Sequence, residues 1–237
     1  MDVNEKEEIK REFQLERMIL FSDAVFAIII TIMVLEMRVP EGIKQANSER
    51  LHEMIIDLLR KFGGYILSFF IVGAFWIKHL KLFSYLKDYT QKLIILNLLF
   101  LFFISLFPFA AALLTETISP KNLSGVYIYF SVTMCALFSQ TVLTGYIIKN
   151  AEDIALMPKS IAAELQWKAQ RLNYLTIPVM LVFMVIAFLV KLPVEIFNYG
   201  FITWAFIMVF IRKKLYPDTT HANTGPLIAR LFKRKRK

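Results

Sequence analysis

Six stretches of this chain are apolar enough, and long enough, to cross a lipid bilayer, and nothing else in the sequence constrains the fold as strongly. With ragged ends they run over 18–37, 62–83, 93–114, 124–148, 172–190 and 194–211. Inside lipid each backbone N–H and C=O must be bonded within its own segment, so continuous apolar runs of this length predict helices. The expected fold class is therefore an all-α membrane protein of six transmembrane helices. A hydrophobic content of 57% with 22 Phe, and a mean hydropathy of +0.55, exclude an ordinary soluble domain. The third, fourth and fifth stretches contain no charged residue, and the sixth is the shortest. Lys191, Leu192 and Pro193 leave room only for a tight hairpin, so the fifth and sixth spans are antiparallel neighbours.

Six spans place the N-terminus, the second-to-third and fourth-to-fifth connections and the C-terminus on one side. About three-quarters of the 28 Lys and Arg residues lie there, which assigns that side to the cytoplasm. Much of the net charge of +9 comes from Arg212, Lys213, Lys214 and the basic run 233–237. Beside a membrane span such a run sets topology or meets anionic lipid headgroups, and does not imply nucleic acid. Residues 1–215 read as one six-span domain and 216–237 as a flexible basic cytoplasmic tail. The single Cys135 can form no intrachain disulfide and reads as a small packed side chain.

The first span carries a carboxylate, Asp23, about a third of the way along. A charge inside a span costs a few kcal/mol on insertion scales, roughly +2.5 to +3.5, so it faces protein or water. At about 100° per residue with Ile28 at zero, Ala24, Ile28, Thr31, Ile32 and Leu35 fall within about 60° of one line. Ser22 and Asp23 fall on the other side, near about +120° and −140°. The helix thus has an aliphatic stripe with one hydroxyl, and a polar cluster in its first turns. Packed around an axis in several copies, the stripe would line a narrow pore. In an arbitrary membrane helix the same stripe is ordinary packing.

Arg17, Phe21, Ser22 and Asp23, followed by Ala24, Val25, Phe26, Ala27, Ile28 and Thr31, resemble the first-helix signature of the transmembrane-protein-175 family, the endolysosomal potassium channels and their bacterial relatives. Trp76 and His79 at the end of the second span, Asn97-Leu98-Leu99 in the third, and Phe107-Pro108-Phe109 extend the resemblance. It implies a potassium-preferring cation channel, not an enzyme, whose first helices surround the pore and whose bulky aliphatic rings form a hydrophobic gate. By position those rings are Ile28 and Leu35, with the Thr31 hydroxyl between them and Ile28 and Thr31 as the selectivity positions. Ile32 joins the constriction from the helical wheel alone. The family's inter-helix polar network maps onto Arg17, Ser22, Asp23, Trp76, His79 and Asn97, with His79 expected to bond Asp23 or Ser22. The signature occurs once, so the resemblance implies a homotetramer, of the kind found in prokaryotic plasma membranes, with potassium as permeant and no cofactor.

Three further expectations concern the segments between spans. Residues 2–16 mix both charge signs and are expected to add a solvated turn or two before the first span. Leu51, Met54, Ile55, Leu58, Leu59 and Phe62 recur at helical spacing and predict an amphipathic helix leading into the second span, with a bend at Gly63-Gly64. Ile161, Leu165 and Leu172 predict a helical stripe over 160–171, and Pro108 predicts a kink in the third span.

The sequence has no Walker loop, dinucleotide-binding glycine pattern or hydrolase elbow. His52, His79 and His221 are too scattered for a metal site. The Thr-Val-Gly-Tyr-Gly carbonyl filter is also missing, so any potassium preference must come from pore width, partial dehydration and the Thr31 hydroxyls. A different reading is a proton-coupled secondary transporter relaying protons through Asp23 and His79, although neither an inverted repeat nor a pair of broken helices is evident.

Overall fold

The computed structural model describes residues 3–35, 37, 42–45, 47–117 and 123–215; the basic tail expected at 216–237 lies outside the described residues. The described residues are mostly helical: α1 (Val3–Leu35), a 3-10 turn (Ile43–Gln45), α2 (Ser48–Phe83), α3 (Gln91–Ser105), α4 (Phe107–Thr117), α5 (Ser124–Lys149), three single turns α6 (Ala151–Ile154), α7 (Ile161–Glu164) and α8 (Trp167–Gln170), then α9 (Asn173–Val190) and α10 (Val194–Leu215). Among the described residues there is no strand, only one isolated bridge between Leu86 and Ala155. Among the described residues five helical stretches are long and apolar enough to span a membrane: Ile9–Leu35, Ser48–Phe83, Gln91–Thr117, Ser124–Lys149 and Trp167–Val190. The sixth expected span coincides with α10, a 22-residue helix ending in Arg212, Lys213 and Lys214.

Local chemistry explains most boundaries. The Asn47 side chain accepts from the Arg50 amide and starts α2, and the Thr90 hydroxyl accepts from the Leu93 amide and starts α3. The third span breaks at Leu106 between α3 and α4, because Pro108 has no N–H to offer the Ile104 carbonyl and its ring crowds that carbonyl. The predicted kink is therefore present. Lys191 ends α9 in the left-handed region at φ 54°, and its amide and that of Leu192 turn back to the last carbonyls of the helix.

Three expectations are corrected. The acidic and basic N-terminal segment is not a turn or two but part of one 33-residue helix from Val3, tied down by an Arg11–Asp88 ion pair at 3.2 Å. The amphipathic stretch and the second span form a single helix through Gly63-Gly64. Gly64 serves close approach instead of a break: a Cβ there would run into the Thr115 methyl of α4. Residues 160–171 do not form one striped helix but two single turns separated by Gln166, which adopts φ 54°. Ile161 and Leu165 are buried all the same.

α5 occupies the middle of the bundle and packs on α3, α4 and α9, while α1 lies against α2, α3 and α4. Four hydroxyls along α5 bond their own helix: Thr133 donates to Tyr129 O, Ser139 to Ala136 O, Thr141 to Leu137 O and Thr144 to Gln140 O. Their protons satisfied, the side chains present small, nearly apolar surfaces to neighbours. Gly125 lets α5 start directly on the α4 backbone, where a Cβ would meet the Leu113 carbonyl.

Candidate functional site

The site is α1 and what holds it. One side of this helix is committed to the protein core: Ser22, Phe26, Ile29 and Met33 are buried. The other side is not covered by the chain. Ile28 is 55%, Ile32 40% and Leu35 71% exposed, and Ala24 and Thr31 are exposed with them. The centres of the two faces lie roughly 150° apart around the helix. The stripe read from the sequence is thus a continuous free surface running from the middle of the span to its far end.

Thr31 is the one hydroxyl on that surface. Its Oγ1 donates back to the helix, at 3.0 Å from Ala27 O and 2.8 Å from Ile28 O. With the proton engaged there, the oxygen has only lone pairs left to present, which makes it an acceptor toward anything beside the stripe.

Two separate polar contacts fix the helix from behind. In the first, the Trp76 indole N–H of α2 donates to Asp23 Oδ1 at 2.9 Å. A hydrogen bond to an ionised acceptor is about twice as strong as a neutral one, and this one offsets part of the cost of a carboxylate within a span. The second is a chain through three helices. His79 Nε2 of α2 lies 2.9 Å from Asn97 Oδ1 of α3, Asn97 Nδ2 donates to Ser22 Oγ of α1 at 2.8 Å, and Ser22 Oγ donates to Met18 O at 2.9 Å. Asn97 uses its NH2 on Ser22, so its carbonyl must accept, and Nε2 is the nitrogen of His79 that carries the proton. Ser22, His79 and Asn97 are all essentially inaccessible. The imidazole is stacked on Phe83 at 4.0 Å and on Phe100 at 5.7 Å, with Phe26 also 5.7 Å away, and its Nδ1 is buried without a partner.

The structure therefore unites five of the six expected network residues, in two groups. His79 does not bond Asp23 or Ser22 directly, as the resemblance suggested; Asn97 stands between, since an amide can accept from a ring N–H and donate to a hydroxyl at once. Arg17 stays apart, exposed, with its guanidinium 5.9 Å from the Phe13 ring. Asp23 and His79 are not joined by any hydrogen bond among the described residues, so the proposed relay pair has no continuous path here. Sequence reasoning missed Ser68 and Tyr129, whose hydroxyls meet at 3.1 Å between α2 and α5, and the Asn173 amide donating to Thr141 at 3.0 Å between α9 and α5. Each is a polar residue inside an apolar run, which is the only signal that could have marked them.

Residues 17–108 match the sequence profile described as "Endosomal/lysosomal potassium channel TMEM175". This segment is similar to the TMEM175 family. It holds the whole α1 stripe, both polar contacts and the third-span break. Over 90 residues, 38% of this chain, the sequence is 44% identical to a potassium channel of Chryseobacterium sp. (strain P1-3), covering 43% of that protein. Over 118 residues, 49% of this chain, it is 32% identical to a potassium channel of Streptomyces collinus, covering 56% of that protein. The chain thus spans about half the length of these curated relatives. Across 131 residues, 55% of this chain, it is 28% identical to the endosomal/lysosomal proton channel TMEM175 of Danio rerio, covering 24% of that protein. In three dimensions it superposes with a TM-score of 0.58 and 23% identity on the crystal structure of a lysosomal potassium-selective channel TMEM175 homolog from Chamaesiphon minutus. That match covers 82% of this chain and 98% of the other, and establishes a shared fold.

Proposed function

We propose that this chain is one subunit of a potassium-preferring cation channel, a homotetramer in a prokaryotic plasma membrane, with α1 of each copy lining a central pore. The observation that carries the reading is the uncovered stripe of α1. A helix whose rear face is fixed by two polar contacts and a packed core, and whose front face is left bare by its own chain, is built to meet copies of itself or a pore. One such helix encloses nothing, so several copies around an axis are required. A mostly apolar groove of about 470 Å³, lined by Ile28 and Ile32 at the edge of the stripe together with Val25, Ile29, Ser105, Pro108, Phe109 and Ala112, offers the neighbouring copy a seat. The relatives named potassium channels support the choice of ion.

In this reading Ile28, Ile32 and Leu35 form the hydrophobic constriction. Such rings offer no oxygen to replace hydration water, so they gate by dewetting and select through width and partial dehydration. The Thr31 oxygen, its proton turned back to the helix, is the one side-chain acceptor within reach of a dehydrating cation. Asp23 with Trp76, and Ser22 with Asn97 and His79, hold α1 at fixed rotation so that the stripe faces the axis; Arg17 completes the network between subunits. α10 is the sixth span, residues 1–215 form the channel domain with both termini cytoplasmic, and the tail 216–237 meets anionic headgroups.

Cysteine accessibility tests the lining. In a Cys135→Ala background, Ile28→Cys or Leu35→Cys channels should lose current on exposure to a water-soluble thiosulfonate, while Phe26→Cys, on the packed face, should not. Equal insensitivity of all three would remove α1 from the pore.

A further inference from the structure

A second polar cavity lies away from α1, where the end of α2 meets α5, α8, the start of α9 and the last turns of α10. Its volume is about 320 Å³. Three cations line it, Lys78, Lys81 and Arg212, against one carboxylate, Glu164. Among the described residues none of the three cations has a carboxylate partner. Lys78 has only the Phe75 ring, 6.0 Å away; Arg212 Nε donates to Gln166 Oε1 at 2.8 Å; Lys81 Nζ donates to the Glu164 backbone carbonyl at 2.9 Å. The Glu164 carboxylate is itself engaged by the Tyr85 hydroxyl; burial first, and then this carboxylate, push the Tyr85 phenol above its ordinary range. In the same wall Asn173 Oδ1 and Trp204 Nε1 are buried without partners.

All three cations also reach solvent. Lys78 and Arg212 line the cavity from α2 and α10 with like charge, and Glu164 is the one carboxylate in the wall. Charged groups gathered in a partly enclosed space are stabilised by an oxyanion, which takes charge-assisted bonds from ammonium and guanidinium together. The lining includes Val209 of α10, an exposed apolar side chain.

We propose that this cavity binds a phosphate-type oxyanion, clasped by Lys78 and Arg212 with Lys81 at its edge. The oxyanion is either free in solution or the headgroup of an anionic lipid whose chains pass over Val209. The site is independent of the pore assignment.

Thermal unfolding of the purified full chain in a neutral detergent tests it, with inorganic phosphate in one titration and dioctanoyl phosphatidylglycerol in the other. A saturable rise in unfolding temperature is expected, with the apparent affinity at least tenfold weaker in the Lys78→Gln/Arg212→Gln variant. Gln166→Glu provides a variant that keeps the Arg212 hydrogen bond while neutralising its charge, and should weaken binding in the same direction. A response to phosphate alone identifies a free oxyanion, and a response confined to the lipid identifies a headgroup; both uphold the site. No saturable response to either, or a response undiminished in both variants, overturns it.

Discussion

Asn97 is the residue on which the rear face of α1 depends most, and replacing it by Leu gives a quantitative test. The change removes two inter-helix hydrogen bonds and leaves His79 Nε2–H buried with no acceptor, since the ring is walled by Phe26, Phe83 and Phe100. Inter-helix bonds in membrane proteins average about 0.6 kcal/mol, reaching about 1.7. A stranded buried donor costs about 1–3 kcal/mol. Together these predict a loss of about 2 kcal/mol for Asn97→Leu, or roughly 4–8 °C in unfolding temperature at about 2–4 °C per kcal/mol for a chain of this size. Replacing both partners by apolar groups of similar shape should be nearly neutral. His79→Phe keeps an aromatic ring between Phe83 and Phe100, so the double variant His79→Phe/Asn97→Leu should recover most of the loss. Reversible unfolding in mixed detergent and dodecyl sulfate micelles provides the four corners of the cycle. Simple addition of the two single effects, or an Asn97→Leu variant as stable as the parent, would refute the hydrogen-bonded chain.

Further outcomes follow from the same geometry. Trp76→Phe leaves the Asp23 carboxylate without its donor and should cost about 1.5–3 kcal/mol, whereas Asp23→Asn keeps an acceptor oxygen and should cost less; equal losses in unfolding would argue against the indole bond. Gly64→Val drives a side chain into Thr115 and should destabilise by about 1–3 kcal/mol, with partial rescue by Thr115→Ala in the same unfolding assay. Thr31→Val lies on the free face and should leave stability within about 0.5 kcal/mol while changing the potassium-to-sodium permeability ratio measured in bilayers. The Arg11–Asp88 pair is exposed, so Arg11→Ala should cost at most about 1 kcal/mol, and less as salt is raised.

The parts of the molecule that the sequence makes legible are those where a local rule decides. Apolar run length locates five of the spans, Pro108 locates the third-span break, and the spacing of Ile28, Thr31, Ile32 and Leu35 identifies the face that the chain leaves bare. What it hides is pairing. The partners Asp23–Trp76, Ser22–Asn97 and Asn97–His79 come from different helices, and no spacing rule within one helix says which donor reaches which acceptor. The resemblance supplied the members of the network, but the Asn97 bridge needed coordinates. The misread Gly63-Gly64 has a similar cause. A glycine pair in a span reads as a bend or as a contact, and only the position of Thr115 on another helix distinguishes them. In 160–171 the periodic Ile161 and Leu165 are buried as expected, but Gln166 turns left-handed to pass them under the bundle, and apolar periodicity carries no trace of that.

Potassium flux from proteoliposomes containing the purified chain tests the central claim most directly. Sodium and then N-methylglucamine would be substituted, with Ile28→Asn beside the parent. The account predicts potassium flux above sodium, no N-methylglucamine flux, and a change in conduction or selectivity when the Ile28 ring becomes polar. Flux indistinguishable from empty liposomes at every voltage, or identical behaviour of Ile28→Asn and the parent, would contradict a pore constricted by the first helix.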